Sequence, residues 1–248
     1  MNRKNRKETE KDRENRGLTT FHEIAHIETD FSSKFGIPRQ SGLADTKGRI
    51  VFEERYQNPD ALRGIEEYSH LWILWKFSEV FMDDWKPTVR PPRLGGNQRV
   101  GVFATRSPFR PNPIGLSCVK LDKVEITEKY GPVLYVTGAD LMDGTPIFDI
   151  KPYLPYVDSY SDARGGFAEK RKEYRLEVLI PEEAEKLFDE NELEVLKQIL
   201  SQDPRPSYQN DPERIYGMDY AGMNIRFKVN GEKLLVCGIE GKLQYDQK

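Results

Sequence analysis

The stretch HLWILWKF, residues 70–77, gives the clearest indication of the fold. It is apolar along almost its whole length, as is typical of a strand that lies in a closed or covered sheet. No run in the chain approaches the 18 or so apolar residues that a membrane span requires. The stretch therefore predicts a buried strand in a mainly β protein with no membrane association.

The neighbouring segments have the same character, because short apolar runs alternate with frequent turn signals. Strands and helices do not alternate along this part of the chain, which argues against a doubly wound parallel sheet. An antiparallel barrel or sandwich fits better. Further strands are expected in LTTFHEIAHIE, RIVFEERY, RVGVFAT, CVKLDKVEIT and PVLYVTGADL.

The composition changes near residues 158–170, where Gly165-Gly166 and polar residues indicate a linker. The strand-like segment RKEYRLEVLI follows, and PEEAEKLFDENELEVLKQILSQD then predicts one helix with Pro181 in its first turn. Its expected apolar face carries Leu187, Leu193, Leu196 and Leu200.

The last structured segment, NIRFKVNGEKLLVCGIE, predicts a hairpin that turns at Asn230-Gly231. The C-terminal part is therefore expected to be a small α+β domain. The predicted organisation is a tail over residues 1–16, a barrel domain over 17–160 and a C-terminal domain over 170–248.

The composition of the 248 residues, with a formal net charge of −3, is that of an ordinary soluble protein. Residues 1–16 hold seven basic and four acidic residues without an apolar segment, so they predict no secretory signal. A disordered, solvated tail is expected there, with a weak RNA-binding arm as the alternative. Cys118 and Cys237 lack metal-ligand spacing and predict buried free thiols in a cytoplasmic protein.

The segment HEIAH, His22 to His26, matches the H-E-x-x-H pattern of zinc proteases. In those enzymes both histidines bind zinc from one turn of a helix, and a third ligand completes the site. Here the flanking residues are β-branched and aromatic, which favours a strand and a coincidental match. A zinc hydrolase remains the alternative, and a carboxylate could serve as its third ligand.

A cationic segment runs from Trp85 to Leu121 and contains seven basic residues and no acidic residue. Six of the sixteen prolines of the chain lie in it and restrict its backbone. Five of its bases are arginines, whose planar guanidinium suits phosphate contacts. The segment predicts an anion-binding surface, although its arginines could instead pair with acidic residues elsewhere in the chain.

A second polar cluster lies in GADLMDGTPIFDIKPYLPY, residues 138–156. Asp140, Asp143 and Asp149 follow an apolar strand, with Lys151 close by. Carboxylates at strand ends can hold a ribose, an ammonium group or a metal. For Asp143-Gly144 a turn that the aspartate caps is an equally good interpretation.

Five stretches of the chain form an ordered series: GIPRQSGL (36–43), ALRGIEEYSHLWILWKF (61–77), WKPTVRPPRLGGNQRVGVFATRSPFRPNPIGLS (85–117), DLMDGTPIFDIKPYLPY (140–156) and DPRPSY (203–208). This series resembles the TrmO (TsaA-like) family of tRNA methyltransferases. The resemblance covers roughly residues 20–245 and leaves the basic tail outside.

The resemblance implies an antiparallel β-barrel that binds S-adenosylmethionine without a Rossmann domain. The missing G-x-G-x-x-G fingerprint agrees with this expectation. It also implies a homodimer with the cofactor near the subunit interface. The implied activity is methylation of N6 of threonylcarbamoyladenosine, at adenosine 37 of threonine tRNAs.

Residue by residue, the resemblance implies a cofactor site assembled from four segments. These contribute Gln40, Ser41, Gly42, Phe77, Ser78, Arg106, Leu116, Thr137, Gly138, Ala139 and Asp140. Charge and position suggest that Arg39, Arg93, Arg110 and Lys151 contact the RNA backbone or the threonyl carboxylate.

The carbamoyl group on N6 acidifies the remaining N–H, so a modest base could suffice for the reaction. The sequence offers Asp140, Asp143, His70 and Tyr153, and does not choose among them. Trp72, Trp75 and Phe109 could stack on a base, although packing is the favoured role of the tryptophans. The alternative function is a non-catalytic RNA- or cofactor-binding barrel.

Overall fold

The structure, a computed structural model, describes residues 19–80, 84–91, 94, 98–171, 174–205, 209 and 211–241. The basic tail and Arg93, for which the sequence suggested RNA contacts, lie outside these residues. In the part of the chain that is described, no helix is long and apolar enough to cross a bilayer.

Six strands close into an antiparallel barrel, which confirms the mainly β class and the barrel. In space the order around the barrel is β1-β2-β7-β6-β3-β8. The chain-order bounds, including the separate pair formed by β4 and β5, are β1 (Ala25–Thr29), β2 (Lys47–Phe52), β3 (His70–Lys76), β4 (Thr88–Val89), β5 (Val100–Gly101), β6 (Ile114–Thr127), β7 (Gly131–Thr137) and β8 (Thr145–Pro152).

The apolar stretch quoted first forms β3, which pairs with β6 on one edge and with β8 on the other. Its alternate residues Leu71 and Ile73 are fully buried inside the barrel. By contrast, the strand expected in RVGVFAT is only two residues long. The chain turns into a short 3-10 helix at Val102, which is buried and whose N–H donates to the carbonyl of Pro87 at 2.9 Å.

A glycine opposite a tryptophan shapes one end of the barrel. Gly115 on β6 pairs with Trp75 on β3, and a Cβ built on Gly115 would overlap the Trp75 ring. The indole therefore lies across the backbone of its partner strand, where it is buried. Only glycine leaves the space for this arrangement.

The C-terminal part is a small α+β unit, as expected, with a four-stranded sheet in the order β10-β11-β12-β9. Its strands are β9 (Glu177–Leu179), β10 (Tyr216–Tyr220), β11 (Met223–Asn230) and β12 (Lys233–Glu240). The predicted hairpin is confirmed, because β11 and β12 pair from Asn230↔Lys233 onward. Helix α1 (Pro155–Asp158) follows the last barrel strand, and α2 (Glu182–Glu185) and α3 (Glu190–Ser201) belong to the C-terminal unit.

The expectation of one long helix after Pro181 is wrong. Asp189 accepts a hydrogen bond from the N–H of Glu192 at 2.8 Å, and the Glu192 side chain accepts one from the N–H of Asp189 at 3.1 Å. This capping box begins a new helix, α3. Leu187 falls in the break and is exposed, so the buried face of α3 consists of Val195, Leu196, Ile199 and Leu200.

The β1–β2 loop, residues 30–46, belongs to the C-terminal core although it connects two barrel strands. Phe31 and Ala44 are buried in the same cluster as the apolar face of α3. Gly36 has φ +100°, and a Cβ there would lie 2.7 Å from Cε of Met218 on β10. The loop is therefore packed closely against the C-terminal sheet.

Both cysteines are free thiols, but their burial differs from the expectation. Cys118 is half-buried and Cys237 is exposed. Cys237 lies on β12, where alternate side chains face away from the core and the buried neighbours are Leu234 and Val236.

Replacing Gly115 by alanine should destabilise the barrel by about 1–3 kcal/mol, because the new methyl group displaces the Trp75 ring. Urea unfolding followed by tryptophan fluorescence measures the change. Gly101→Ala is the matched control, since a Cβ there has nothing within 4 Å. An equal stability of the two variants would contradict this account of the Trp75 ring.

Candidate functional site

A cleft of about 960 Å³ opens at the end of the barrel where β3 ends and β6 and β8 begin. Its wall is built from residues 37–40 of the β1–β2 loop, residues 75–80 and most of residues 103–116. Asp140, Met142 and Thr145 complete it. A cleft of this size with a few convergent polar groups suits a nucleoside-sized ligand.

The floor of the cleft is a chain of hydrogen bonds that begins in the barrel. The indole N–H of Trp75 donates to Oγ of Ser117 at 2.9 Å. Ser117 is fully buried and donates in turn to Oδ1 of Asp140 at 2.5 Å. The serine hydroxyl thus has both a donor and an acceptor, and it fixes the orientation of the carboxylate.

Opposing effects act on the pKa of Asp140, and burial dominates. Burial raises the pKa of this carboxyl above its ordinary value. Hydrogen bonds from the Ser117 hydroxyl and from the N–H groups of Asp140 and Ser41 oppose the rise, as does the charge of Arg106. A carboxylate with a raised pKa can exchange a proton closer to neutral pH than an exposed aspartate can.

Five basic side chains of the described residues reach the cleft, and they differ in the partners that they contact. Lys34 pairs with Glu79 at 2.9 Å and Lys76 with Glu23 at 3.2 Å, so acidic side chains offset these lysines. The guanidinium of Arg106 donates to the side-chain oxygen of Gln40, which is neutral. Arg110 likewise donates to a neutral oxygen, the carbonyl of Thr105. Arg39 donates to the carbonyls of Asp203 and Arg205.

Apolar side chains surround the mouth of the cleft and face solvent. Phe103 is 72% exposed, Phe109 is 53% exposed and Leu116 is 49% exposed. Trp85 lies beside Phe103, with ring centroids 6.0 Å apart. Large exposed apolar groups gathered around one opening are typical of a surface that meets a ligand or a macromolecule.

Most of the residues expected to bind the cofactor meet at this cleft. Gln40, Phe77, Ser78, Arg106, Leu116 and Asp140 line it.

The remaining residues of that set lie near Gln40 or Asp140 in the chain and do not line the cleft themselves. Ser41 Oγ accepts a hydrogen bond from the N–H of Cys118 at 3.0 Å, and the N–H of Gly42 donates to the carbonyl of Gly138 at 2.9 Å. The carbonyl of Ala139 accepts a bond from Thr46 at 2.5 Å. Thr137 lies between Lys47 and Asp122.

Of the four candidate bases, the structure brings Asp140 alone to the cleft. His70 is five residues from Trp75 along β3, about 16 Å away in an extended strand. Tyr153 lies beside His70, with ring centroids 6.1 Å apart. Asp143 accepts a hydrogen bond from the N–H of Thr29 on β1 at 2.9 Å, so its carboxylate links the β7–β8 connection to β1.

The residues expected to contact RNA are dispersed in the structure. Arg39 and Arg110 line the cleft. Arg110 donates to the carbonyl of Thr105 at 3.1 Å. Lys151 lies toward the far end of β8 and pairs with Asp149 at 2.8 Å. Arg93 lies outside the described residues.

The HEIAH segment does not form the helix that a zinc protease needs. His22 precedes β1 and His26 lies within it, so the two histidines are about 13 Å apart along an extended chain. The ring of His26 is instead 3.1 Å from a carboxylate oxygen of Glu53. Among the described residues, no group of three or more potential ligand side chains could hold a metal ion.

Ser117 was not among the site residues predicted from the sequence. The signal that could have found it is the alternation in β6, where Gly115, Ser117 and Val119 all point inward. A serine on the buried face of a strand requires a hydrogen-bond partner inside the barrel. That partner is the carboxylate of Asp140.

Comparison with known protein families gives two matches that together cover most of the chain. The tRNA-methyltransferase O N-terminal domain matches residues 26–159. The TrmO C-terminal domain matches residues 173–242.

Three curated relatives illustrate the similarity to this family. The tRNA (adenine(37)-N6)-methyltransferase of Escherichia coli K12 is 41% identical over 229 residues, which are 89% of this chain and 97% of that protein. A putative S-adenosylmethionine-dependent methyltransferase, RcsF, of Pseudomonas aeruginosa is 42% identical over 79% of this chain and 86% of its own length. The human tRNA (adenine(37)-N6)-methyltransferase is 42% identical over 55% of this chain and 30% of its own length.

Solved structures lead to the same family. A crystal structure of TrmO superposes with a TM-score of 0.73 and 32% identity, covering 90% of this chain and all of that one. A crystal structure of TrmO from Pseudomonas aeruginosa gives the same TM-score and covers 97% of that chain.

Removing the Ser117 hydroxyl should raise the pKa of Asp140 further, since the carboxylate then loses a hydrogen bond that favours its charged form. Carboxyl-carbon NMR titration of wild type and Ser117→Ala measures both midpoints. We expect the wild-type midpoint above the ordinary aspartate value, and that of the variant higher still. Ser69→Ala is the control, because Ser69 contacts His70 at the other end of β3. A lower midpoint in Ser117→Ala would contradict the proposed orientation of the hydrogen bond.

Proposed function

The chain belongs to the TrmO family of S-adenosylmethionine-dependent tRNA (adenine(37)-N6)-methyltransferases, and we propose that its substrate is N6-threonylcarbamoyladenosine at position 37 of threonine tRNAs. The observation that carries the proposal is the cleft in which Asp140, Arg106 and Gln40 meet. We also propose a cytoplasmic location, because the protein must meet its tRNA substrate there.

The cleft fits S-adenosylmethionine by the chemistry of its donor groups. Arg106 can bind a carboxylate, Asp140 can accept hydrogen bonds from hydroxyl or ammonium groups, and the apolar faces of Phe77 and Leu116 can pack against a base. When bound, the cofactor supplies a methyl group on a sulfonium, which is electrophilic without further activation.

The protein's own contribution is to position the substrate and to accept a proton. Rigid walls hold the reacting atoms in line, which is a large part of the rate enhancement in group transfer. Among the described residues, two carboxylates, Asp140 and Glu79, face the cleft, and Glu79 is paired with Lys34. Asp140 is therefore the group we propose to accept the N6 proton, which the carbamoyl group has made more acidic.

The RNA is proposed to approach over the mouth of the cleft. Arg110 provides positive charge there, and Phe109 offers an exposed aromatic face on which a base can stack. We also propose a homodimer with the cleft near the subunit interface, because Leu116 and Phe103 leave apolar surface exposed beside it.

Methyl transfer to tRNA tests the proposed substrate directly. Protein and methyl-labelled S-adenosylmethionine are incubated with threonine tRNA that carries threonylcarbamoyladenosine and, separately, with the unmodified transcript. We expect label in the modified tRNA only, at N6 of that nucleoside by mass spectrometry. Arg106→Ala should lose most of this activity, whereas Arg99→Ala, whose side chain contacts Thr88 outside the cleft, should retain it.

Two outcomes would overturn the proposal in different ways. Equal labelling of both tRNAs would refute the modified nucleoside as the required substrate. Binding of cofactor and tRNA without any labelling would instead favour a non-catalytic RNA- or cofactor-binding barrel.

Replacing Arg110 by alanine should weaken tRNA binding and make its salt dependence shallower. One lost phosphate contact reduces the slope of log K against log salt by about 0.7–0.9. Binding titrations at several salt concentrations measure this slope, with Arg63→Ala as the control because Arg63 pairs with Asp60 on a separate 3-10 helix. A slope equal to that of wild type would exclude Arg110 from the phosphate contacts.

A further inference from the structure

The β1–β2 loop forms part of the cleft wall and is held on one side by the barrel. The N–H of Gly42 donates to the carbonyl of Gly138 at 2.9 Å, and the N–H of Gly138 donates to the carbonyl of Thr46 at 2.8 Å. Ser41 accepts its hydrogen bond from β6. These contacts fix one edge of the segment that carries Gln40 into the cleft.

Helix α3 of the C-terminal unit holds the same loop from the other side. The amide of Gln198 makes two hydrogen bonds with Asp45: its oxygen accepts from the Asp45 N–H at 2.7 Å, and its nitrogen donates to the carboxylate at 2.9 Å. One turn later, Gln202 donates to the carbonyl of Leu43 at 3.1 Å. These bonds accompany the burial of Phe31 and Ala44 in the C-terminal core.

A third contact lies directly beside the cleft. The guanidinium of Arg39 donates to the carbonyls of Asp203 at 2.8 Å and Arg205 at 3.1 Å. Arg205 is itself buried and holds the Asp203 carboxylate with two hydrogen bonds, at 2.8 and 2.9 Å. Such a two-pronged pair gives the turn a defined shape for Arg39 to bind.

The contacts of Arg39 continue to the floor of the cleft. The side chain of Gln40 donates to the carbonyl of Arg39 and accepts from the guanidinium of Arg106. Arg106 in turn acts electrostatically on Asp140. Hydrogen bonds therefore join the turn at residues 203–205 to the guanidinium of Arg106 in the cleft. The connection runs through Arg39 and Gln40, which are adjacent in sequence.

We propose that the C-terminal unit is a structural part of the cofactor site, and that Gln198 is a positioning residue which holds the β1–β2 loop in its cofactor-binding conformation. The inference rests on the proposed function in one respect, namely that the cleft binds S-adenosylmethionine. If the C-terminal unit acted on RNA alone, changing Gln198 would not alter cofactor affinity in the absence of RNA. The inference predicts that it does.

The test compares Gln198→Ala with Lys197→Ala in the full chain. Lys197 lies on the same helix but pairs with Glu185 within the C-terminal unit. Calorimetry with S-adenosylmethionine and no RNA should show a Kd about five- to tenfold higher in Gln198→Ala, from the loss of two hydrogen bonds. Lys197→Ala should bind as wild type does, and thermal melting identifies any variant that fails to fold.

Steady-state kinetics separate a positioning role from general damage to the fold. In Gln198→Ala the KM for S-adenosylmethionine should rise with the Kd, while kcat at saturating cofactor stays near that of wild type. Asp45→Ala removes only the bond to the carboxylate, because the backbone N–H at this position still donates to Gln198, and it should have a smaller effect in the same direction. The double variant Gln198→Ala, Asp45→Ala should bind no more weakly than Gln198→Ala alone, because that single change already removes both bonds to Asp45.

The outcomes distinguish this inference from the proposed function. If wild type binds the cofactor and Gln198→Ala matches Lys197→Ala in Kd and KM, the inference is overturned and the proposed function stands. If wild type does not bind S-adenosylmethionine, the proposed function is overturned and the inference falls with it.

Discussion

The site depends on a steric constraint at one pair of residues in the barrel. The Trp75 indole can lie across β6 only because Gly115 has no side chain there. From that position the indole N–H reaches Ser117, and Ser117 holds the carboxylate of Asp140. A buried carboxylate without such partners would carry a large desolvation penalty. The absence of a side chain at Gly115 therefore permits both the packing of the Trp75 ring and the hydrogen bonds that orient Asp140.

The charge of the proline-rich segment has a simpler role than its composition suggested. Seven bases without an acid indicated a broad anion-binding surface. In the folded chain, two other lysines that reach the cleft are offset by Glu23 and Glu79. Arg106 and Arg110 donate to neutral oxygens, and both line the cleft, where an anionic ligand can reach them. Position at the cleft, rather than the local count of charges, distinguishes Arg106 and Arg110 from the other described bases of the segment.

Local patterns predicted the parts of the fold that local physics determines. The apolar run of β3 and the Asn230-Gly231 turn were both recognisable in the sequence, because strand burial and hairpin turns have short-range signals. The break before α3 was missed, although Asp189 and Glu192 have the spacing of a capping box. The placement of His70 and Tyr153 could not be predicted, since the register of β3 and β8 in a closed barrel decides which end each side chain occupies. Arg39 was assigned to RNA from its charge, and its contacts with residues 203 and 205 depend on packing between distant parts of the chain.

The place of the β1–β2 loop in the C-terminal core has a consequence for the order of folding. Asp45 and Gln198 are 153 residues apart in sequence, and closing so long a segment is entropically costly until other contacts have formed. During synthesis the six barrel strands emerge before α3 does, so the barrel can close while the loop still lacks its partners. The wall of the cleft is then one of the last parts of the molecule to reach its native form. A newly made chain can therefore close its barrel before the C-terminal strands against which the loop packs have been synthesised.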